Sequence, residues 1–87
     1  MPYQLTIRPR AIKVLEKLNE PDYSAIKKAI YNLADNPRPA GCKKLKGRTG
    51  WRIRSGNYRI LYNIFDQVLT VDVIAVGHRK DIYERDL

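Results

Sequence analysis

The chain has 87 residues, 44% of them hydrophobic and 30% charged, with a formal net charge of +8; this suits one soluble globular domain over residues 1–87 with a single modest core. No run of about 18 apolar residues is available to cross a membrane, and Met1-Pro2-Tyr3-Gln4-Leu5 lacks the charged-then-apolar layout of a secretory signal, so the cytoplasm is the expected compartment. A lone Cys42 and a lone His78 exclude an internal disulfide and a zinc site, and no cofactor or metal is expected.

Residues 3–8 alternate polar with apolar and predict a short strand. Pro9 suits the first turn of a helix, after which Ala11, Leu15 and Leu18, with Ile12 and Val14 beside them, form an apolar stripe at helical spacing. The pattern stops at Asn19-Glu20-Pro21. A second helix is expected from Asp22, its N-cap, with Ile26, Ala29, Ile30 and Leu33 on one side, until Asn36-Pro37 ends it. So short a link predicts an antiparallel helical hairpin.

Residues 36–50 hold two prolines and three glycines without periodicity, and they predict a loop carrying Lys43, Lys44, Lys46 and Arg48, tacked to the body by Leu45. Three strands of an antiparallel meander follow, Trp51–Arg54, Asn57–Phe65 and Val68–Val76, joined by turns at Ser55-Gly56 and Asp66-Gln67. The expected fold class is therefore α+β: a small twisted, mainly antiparallel sheet in the order β-α-α-β-β-β, with the two-helix hairpin on one face and a short C-terminal helix.

The charge is concentrated. Between Asp35 and Asp66 there are eight basic residues and no acid, while elsewhere nine basic residues balance nine acidic ones. So repulsive a segment points to a polyanion, the alternative being a solvated basic surface. Two-residue turns set the register. Tyr58, Ile60, Tyr62 and Ile64 then share the helix-covered face with Leu69, Val71, Val73 and Ala75, and Trp51 and Ile53 join them opposite Ile60 and Tyr58. The other face receives Arg52, Arg54, Asn57, Arg59, Asn63, Thr70 and Asp72, with Arg52 directly opposite Arg59.

Like charges opposite one another cost on the order of a few tenths to 1 kcal/mol, so folding stability alone does not favour that pairing. Phosphate groups do: guanidinium is a planar, permanent cation that grips their oxygens in pairs. The competing reading has Asp72 pairing with one arginine while the others extend into water. After the last strand, Gly77 permits a sharp exit. His78 is either a proton donor and acceptor or simply a polar strand-end residue. Tyr83 either stacks on a base or packs with Ile82 on the sheet.

Lys44-Leu45-Lys46-Gly47, Trp51-Arg52-Ile53-Arg54, Asn57-Tyr58-Arg59-Ile60-Leu61-Tyr62 and Val76-Gly77-His78-Arg79-Lys80-Asp81-Ile82-Tyr83 together resemble toxins of the RelE/ParE superfamily, and closest is the RelE mRNA interferase branch. The resemblance spans essentially the whole chain. It implies the toxin of a type II toxin–antitoxin pair, a ribosome-dependent endoribonuclease that enters the A site and inhibits translation by cutting mRNA through 2′-OH attack on the adjacent phosphodiester. By motif, Arg59 matches the arginine that stabilises the phosphorane, Arg79 the second arginine that stabilises charge or protonates the leaving group, and Tyr83 the tyrosine that orients the nucleotide.

Where the best-known form has two lysines this chain has Arg52 and Arg54, and arginine, a permanent cation, is a poor general base and a better electrostatic clamp. The base is then His78, Lys46 or a group of the ribosome. Lys43, Lys44, Lys46, Arg48 and Lys80 form the expected RNA-binding set. The implied partners are mRNA, the ribosome with its 16S rRNA, and a cognate antitoxin whose acidic, partly disordered segment covers the basic face. A ParE-like inhibitor of DNA gyrase without nuclease activity is the main alternative, and a non-catalytic RNA- or protein-binding module is a third.

Overall fold

The computed structural model describes residues 2–82. Its elements are β1 (Gln4–Ile7), α1 (Pro9–Lys17), α2 (Asp22–Asp35), β2 (Lys43–Lys44), β3 (Trp51–Ser55), β4 (Tyr58–Phe65) and β5 (Thr70–His78). The five strands form one sheet in the order β1-β5-β4-β3-β2, with β1 parallel to β5 and the remaining pairs antiparallel. This is the α+β class expected, with one strand more than expected: Lys43 and Lys44, inside the supposed loop, pair with Arg52 and Trp51.

Both helices lie on one face, α1 over β5 and α2 across β1, β3 and β5. Ala11, Ile26, Ile30 and Leu33 bury against Ile53, Ile60, Tyr62, Val71, Val73 and Val76. Pro9 occupies the first turn of α1 as its missing N–H allows. Asp22, expected to cap α2, is instead its first helical residue. The Glu20 carboxylate does the capping, accepting the Ser24 backbone N–H at 2.8 Å and the Ser24 hydroxyl at 2.5 Å. Those bonds, the hydroxyl's first, hold the Glu20 carboxyl below the usual range.

The register departs from expectation in an instructive way. The β3–β4 turn falls at Gly56-Asn57, so Ser55 faces Tyr58, Arg54 faces Arg59, Ile53 faces Ile60 and Trp51 faces Tyr62. Gly56, at φ +60°, takes the first central position, where a II′-type hairpin prefers glycine. Moving a two-residue turn by one residue moves the pairing by two, and because faces alternate with period two every side chain keeps its predicted face. What changes is the partner: Arg54, and not Arg52, lies opposite Arg59.

At the other hairpin, Asp66–Val68 form a 3₁₀ turn and Leu69 takes the left-handed conformation at φ 48°. Leu69 is therefore an exposed turn residue and β5 starts at Thr70. A bulge in β5 opposite Leu61 and Tyr62 inserts Ile74, so that Tyr62 pairs with Val73 but Leu61 with Ala75. A bulge reverses the alternation beyond it. Ala75, expected under the helices, accordingly moves to the opposite face and Val76 takes the core position.

That opposite face is not entirely bare. Leu45, Leu61, Ala75 and Ile82 form a second small buried cluster on it. Gly77 belongs to β5 and needs no unusual backbone; a Cβ there would lie 3.0 Å from Ile82 Cβ, so its use is the space it leaves. Residues 79–81 form a turn, and the expected C-terminal helix lies outside the described residues.

Candidate nucleic-acid interface

Alternation along β3 and β4 brings Arg52, Arg54 and Arg59 to the face away from the helices, and the β2 pairing sets Lys43 directly beside Arg52. Two rows of like charge result, Lys43 with Arg52 and Arg54 with Arg59, each unfavourable by a few tenths to 1 kcal/mol in the absence of an anion. Lys43, Arg52 and Arg54 also line a recess of about 470 Å³ that reaches α2 at Ala29 and Asn32.

Arg59 lies between two strands. It sits on the central part of the sheet, half-buried between Arg54 on β3 and Gly77 on β5, where Ile82 fills the room Gly77 leaves. Its Nε is buried and has no hydrogen-bond partner among the described residues. A buried donor left unmade costs about 1–3 kcal/mol.

Asp72, a candidate partner for these arginines, is committed elsewhere. The residue is 7% exposed, and its carboxylate accepts the Thr6 hydroxyl at 2.8 Å and pairs with Arg8 at 2.8 Å on the β1 side. Asp66 is likewise occupied, by Arg38 Nη2 at 2.9 Å and the Tyr3 hydroxyl at 2.6 Å, which together hold its carboxyl below the usual range. Arg38, the first base of the acid-free stretch, also lies over Trp51, 5.4 Å from the ring centre, with Lys44 at 5.6 Å. Arg38 is thus structural, and the other seven bases carry the field.

Arg79 follows β5 and its backbone N–H donates to the Asn57 carbonyl at 2.8 Å, which brings it to the Arg54–Arg59 hairpin end. Lys80 is exposed in the same turn. His78 is in a different position. It pairs with Tyr58 on the helix-covered side, edge-on to that ring at 5.5 Å, and shares a recess with Arg10 and Lys17. Its Nδ1 accepts the Lys80 N–H at 3.2 Å and its carbonyl accepts the N–H groups of Asp81 and Ile82. The structure therefore brings Arg52, Arg54 and Arg59 to one face as the strand pattern predicts and the Arg79 backbone to its hairpin end, while His78 does not join them and Tyr83 lies outside the described residues.

Lys44 is on β2, while Lys46 and Arg48 are exposed on the following loop. That loop is anchored: Leu45 is 5% exposed, its N–H donates to the Gly50 carbonyl at 3.0 Å, and Gly50 at φ +126° has no room for a side chain, since a Cβ would meet Leu45 Cδ1 at 2.9 Å. Sequence reading found the Leu45 anchor and offered Ile82 as a residue packed on the sheet, but not that the two share one cluster. Among the described residues no His, Cys, Asp and Glu cluster could hold a metal ion, and no helix is long and apolar enough to cross a membrane.

The comparisons with known proteins agree with this geometry. The family described as "ParE toxin of type II toxin-antitoxin system, parDE" matches residues 5–83. The mRNA interferase toxin RelE of Escherichia coli is 32% identical over 83 residues, 92% of this chain and 86% of that protein. Toxin RelG of Mycobacterium tuberculosis is 34% identical over 87 residues, covering 98% of this chain and 100% of the relative. In the crystal structure of the Mycobacterium tuberculosis RelBE2 toxin–antitoxin complex, a chain 29% identical superposes with a TM-score of 0.78 over 91% of this chain and 100% of its own length. The chain belongs to the RelE/ParE superfamily of type II toxin–antitoxin toxins and is of RelE type.

Proposed function

We propose that this toxin is an endoribonuclease that cuts mRNA in the ribosomal A site. The observation that carries the reading is Arg59, a half-buried arginine with an unpartnered Nε, facing a second arginine across a rigid ladder. In the reaction the 2′-oxygen forms a bond to the adjacent phosphorus, the P–O5′ bond breaks, and a 2′,3′-cyclic phosphate and a 5′-hydroxyl are left. Arg59 supplies charge to the phosphorane, Arg52 and Arg54 clamp the flanking phosphate oxygens, and Arg79 acts at the leaving oxygen. Lys43, Lys44, Lys46, Arg48 and Lys80 hold the backbone of the RNA.

None of the arginines is a serviceable base at neutral pH. His78, engaged through Nδ1 and turned toward Tyr58, holds the turn that carries Arg79, and the 2′-OH proton goes to Lys46 or to a group of the ribosome. Tyr83 follows directly on Ile82 and is assigned the orientation of the nucleotide.

Primer extension on a ribosome-bound message tests the reading. New 3′ ends within codons are expected with the wild-type chain and not with Arg59→Ala; uncut message, or cutting indifferent to Arg59, refutes it. The matching family bears the ParE description, which gives the second reading, a gyrase inhibitor, its standing: inhibition of DNA supercoiling by the Arg59→Ala chain as well as the wild type would favour it. The partner proposed is a cognate antitoxin with an acidic, partly disordered segment across the basic face, as the known RelBE2 neighbour is itself a toxin–antitoxin complex. Such a partner should suppress cutting and slow proteolysis of the toxin.

A further inference from the structure

Arg59 lies near one end of β4, and a different kind of site lies at the other. A cleft of about 380 Å³ opens between residues 44–51 and the end of β4, lined by Lys44, Arg48, Trp51, Asn63 and Phe65. Phe65 is the only phenylalanine of the chain and is 46% exposed, although a core was available to it. Asn63 presents an amide, both donor and acceptor, and lies against Gly50, where a Cβ would be 3.1 Å from Asn63 Oδ1. Asp66, the next residue along the chain from Phe65, is bonded to Arg38 and Tyr3.

An exposed ring, an amide and two cations are what an unpaired nucleotide needs: a surface to stack on, a group to read its edge and charge for its phosphate. Asn63 and Arg59 share the open face of β4 four residues apart, about 13 Å at the rise of a strand. A single strand with one phosphate at Arg54 and Arg59 would reach Phe65 within a few nucleotides. The geometry points to a second nucleotide subsite, in which a base of the bound RNA, away from the reacting phosphate, stacks on Phe65 and is held by Asn63 while Lys44 and Arg48 take its phosphate. This inference rests on the RNA-binding reading above and adds to it a position along the strand.

Trp51 is the only tryptophan and lines the cleft, so its fluorescence reports occupancy without a label. The full chain is titrated with a single-stranded oligoribonucleotide and, separately, with inorganic polyphosphate. Saturable change with RNA is expected, and Phe65→Ala should weaken RNA binding roughly tenfold or more, the usual worth of one stacked base, while polyphosphate binding stays within about twofold. Phe65→Tyr should restore RNA binding and Phe65→Leu should not, which separates stacking from mere bulk.

Unchanged RNA affinity in Phe65→Ala, or equal loss for RNA and polyphosphate, overturns the subsite. So does an acidic peptide whose binding depends on Phe65 when RNA binding does not, which would assign the cleft to a protein partner. Primer extension keeps the two proposals apart. Arg59-dependent cutting with RNA binding insensitive to Phe65 removes the subsite alone, and absent cutting with Phe65-dependent RNA binding removes the nuclease alone.

Discussion

Replacing Arg54 by glutamine should make this protein more stable and less able to bind RNA. The cross-strand pair Arg54–Arg59 sets Cβ atoms about 5 Å apart, and two cations about 6 Å apart in water repel by about 0.7 kcal/mol. Screening at physiological salt, with a Debye length of about 8 Å, reduces this to roughly 0.3–0.7 kcal/mol. Arg52, two residues along on the same face, adds in the same direction. For a domain of this size about 1 kcal/mol moves Tm by 4–8 °C, so Arg54→Gln should raise Tm by roughly 1–5 °C.

The orphaned Nε of Arg59 is untouched by this change, which keeps the charge effect separate from the desolvation effect. Thermal melts at low and high salt measure the gain, which should shrink as salt rises because the repulsion is partly solvent-exposed. Titration with a single-stranded RNA should show weaker binding and a salt slope reduced by about one. A Tm that falls, or a gain that is the same at both salt concentrations, would refute the repulsion; stabilisation with unchanged RNA binding would refute the claim that the pair is held for an anion.

Two outcomes test the rest of the frame. Leu45→Ala should cost about 2–3 kcal/mol in urea unfolding, because Leu45 is 5% exposed against Leu61, Ala75 and Ile82; a loss below about 1 kcal/mol would mean the loop is not anchored there. Asp66 has a folded carboxyl below the usual range through Arg38 and then Tyr3, so its contribution is complete above the unfolded value of about 4 and lost as pH falls toward the lowered folded value. Asp66→Asn should therefore be less stable than wild type at pH 7 and converge with it in acid, by thermal melts across that range, and a constant difference would sink the linkage.

How much of the interface was legible in the sequence turns on one property of strands. A face is a matter of parity, so a one-residue error in placing the Gly56-Asn57 turn left Arg52, Arg54 and Arg59 on the predicted side while exchanging Arg54 for Arg52 as the residue across from Arg59. Side is robust and partnership is not, and it is partnership that an Arg–Arg contact depends on. The bulge that moves Ala75 had the opposite character: nothing in Val73-Ile74-Ala75 marks which residue is extra, because each is apolar and either face has a core to receive it.

His78 illustrates a third limit. Its residue type invited a role in proton transfer, but the role depends on which side of β5 it faces, and that was decided four residues upstream by the same bulge. With Ile74 inserted, His78 falls opposite Tyr58 and Gly77 opposite Arg59. Gly77 in turn leaves the space that Ile82 fills, and the turn from His78 to Ile82 is closed by the His78 carbonyl and Nδ1. One inserted residue thus turns His78 from the face that carries Arg59 to the helix-covered face. It leaves the face that carries Arg52, Arg54 and Arg59 with no histidine from the described part of β5, so the proposed cleavage must take its proton acceptor from elsewhere, Lys46 or the ribosome.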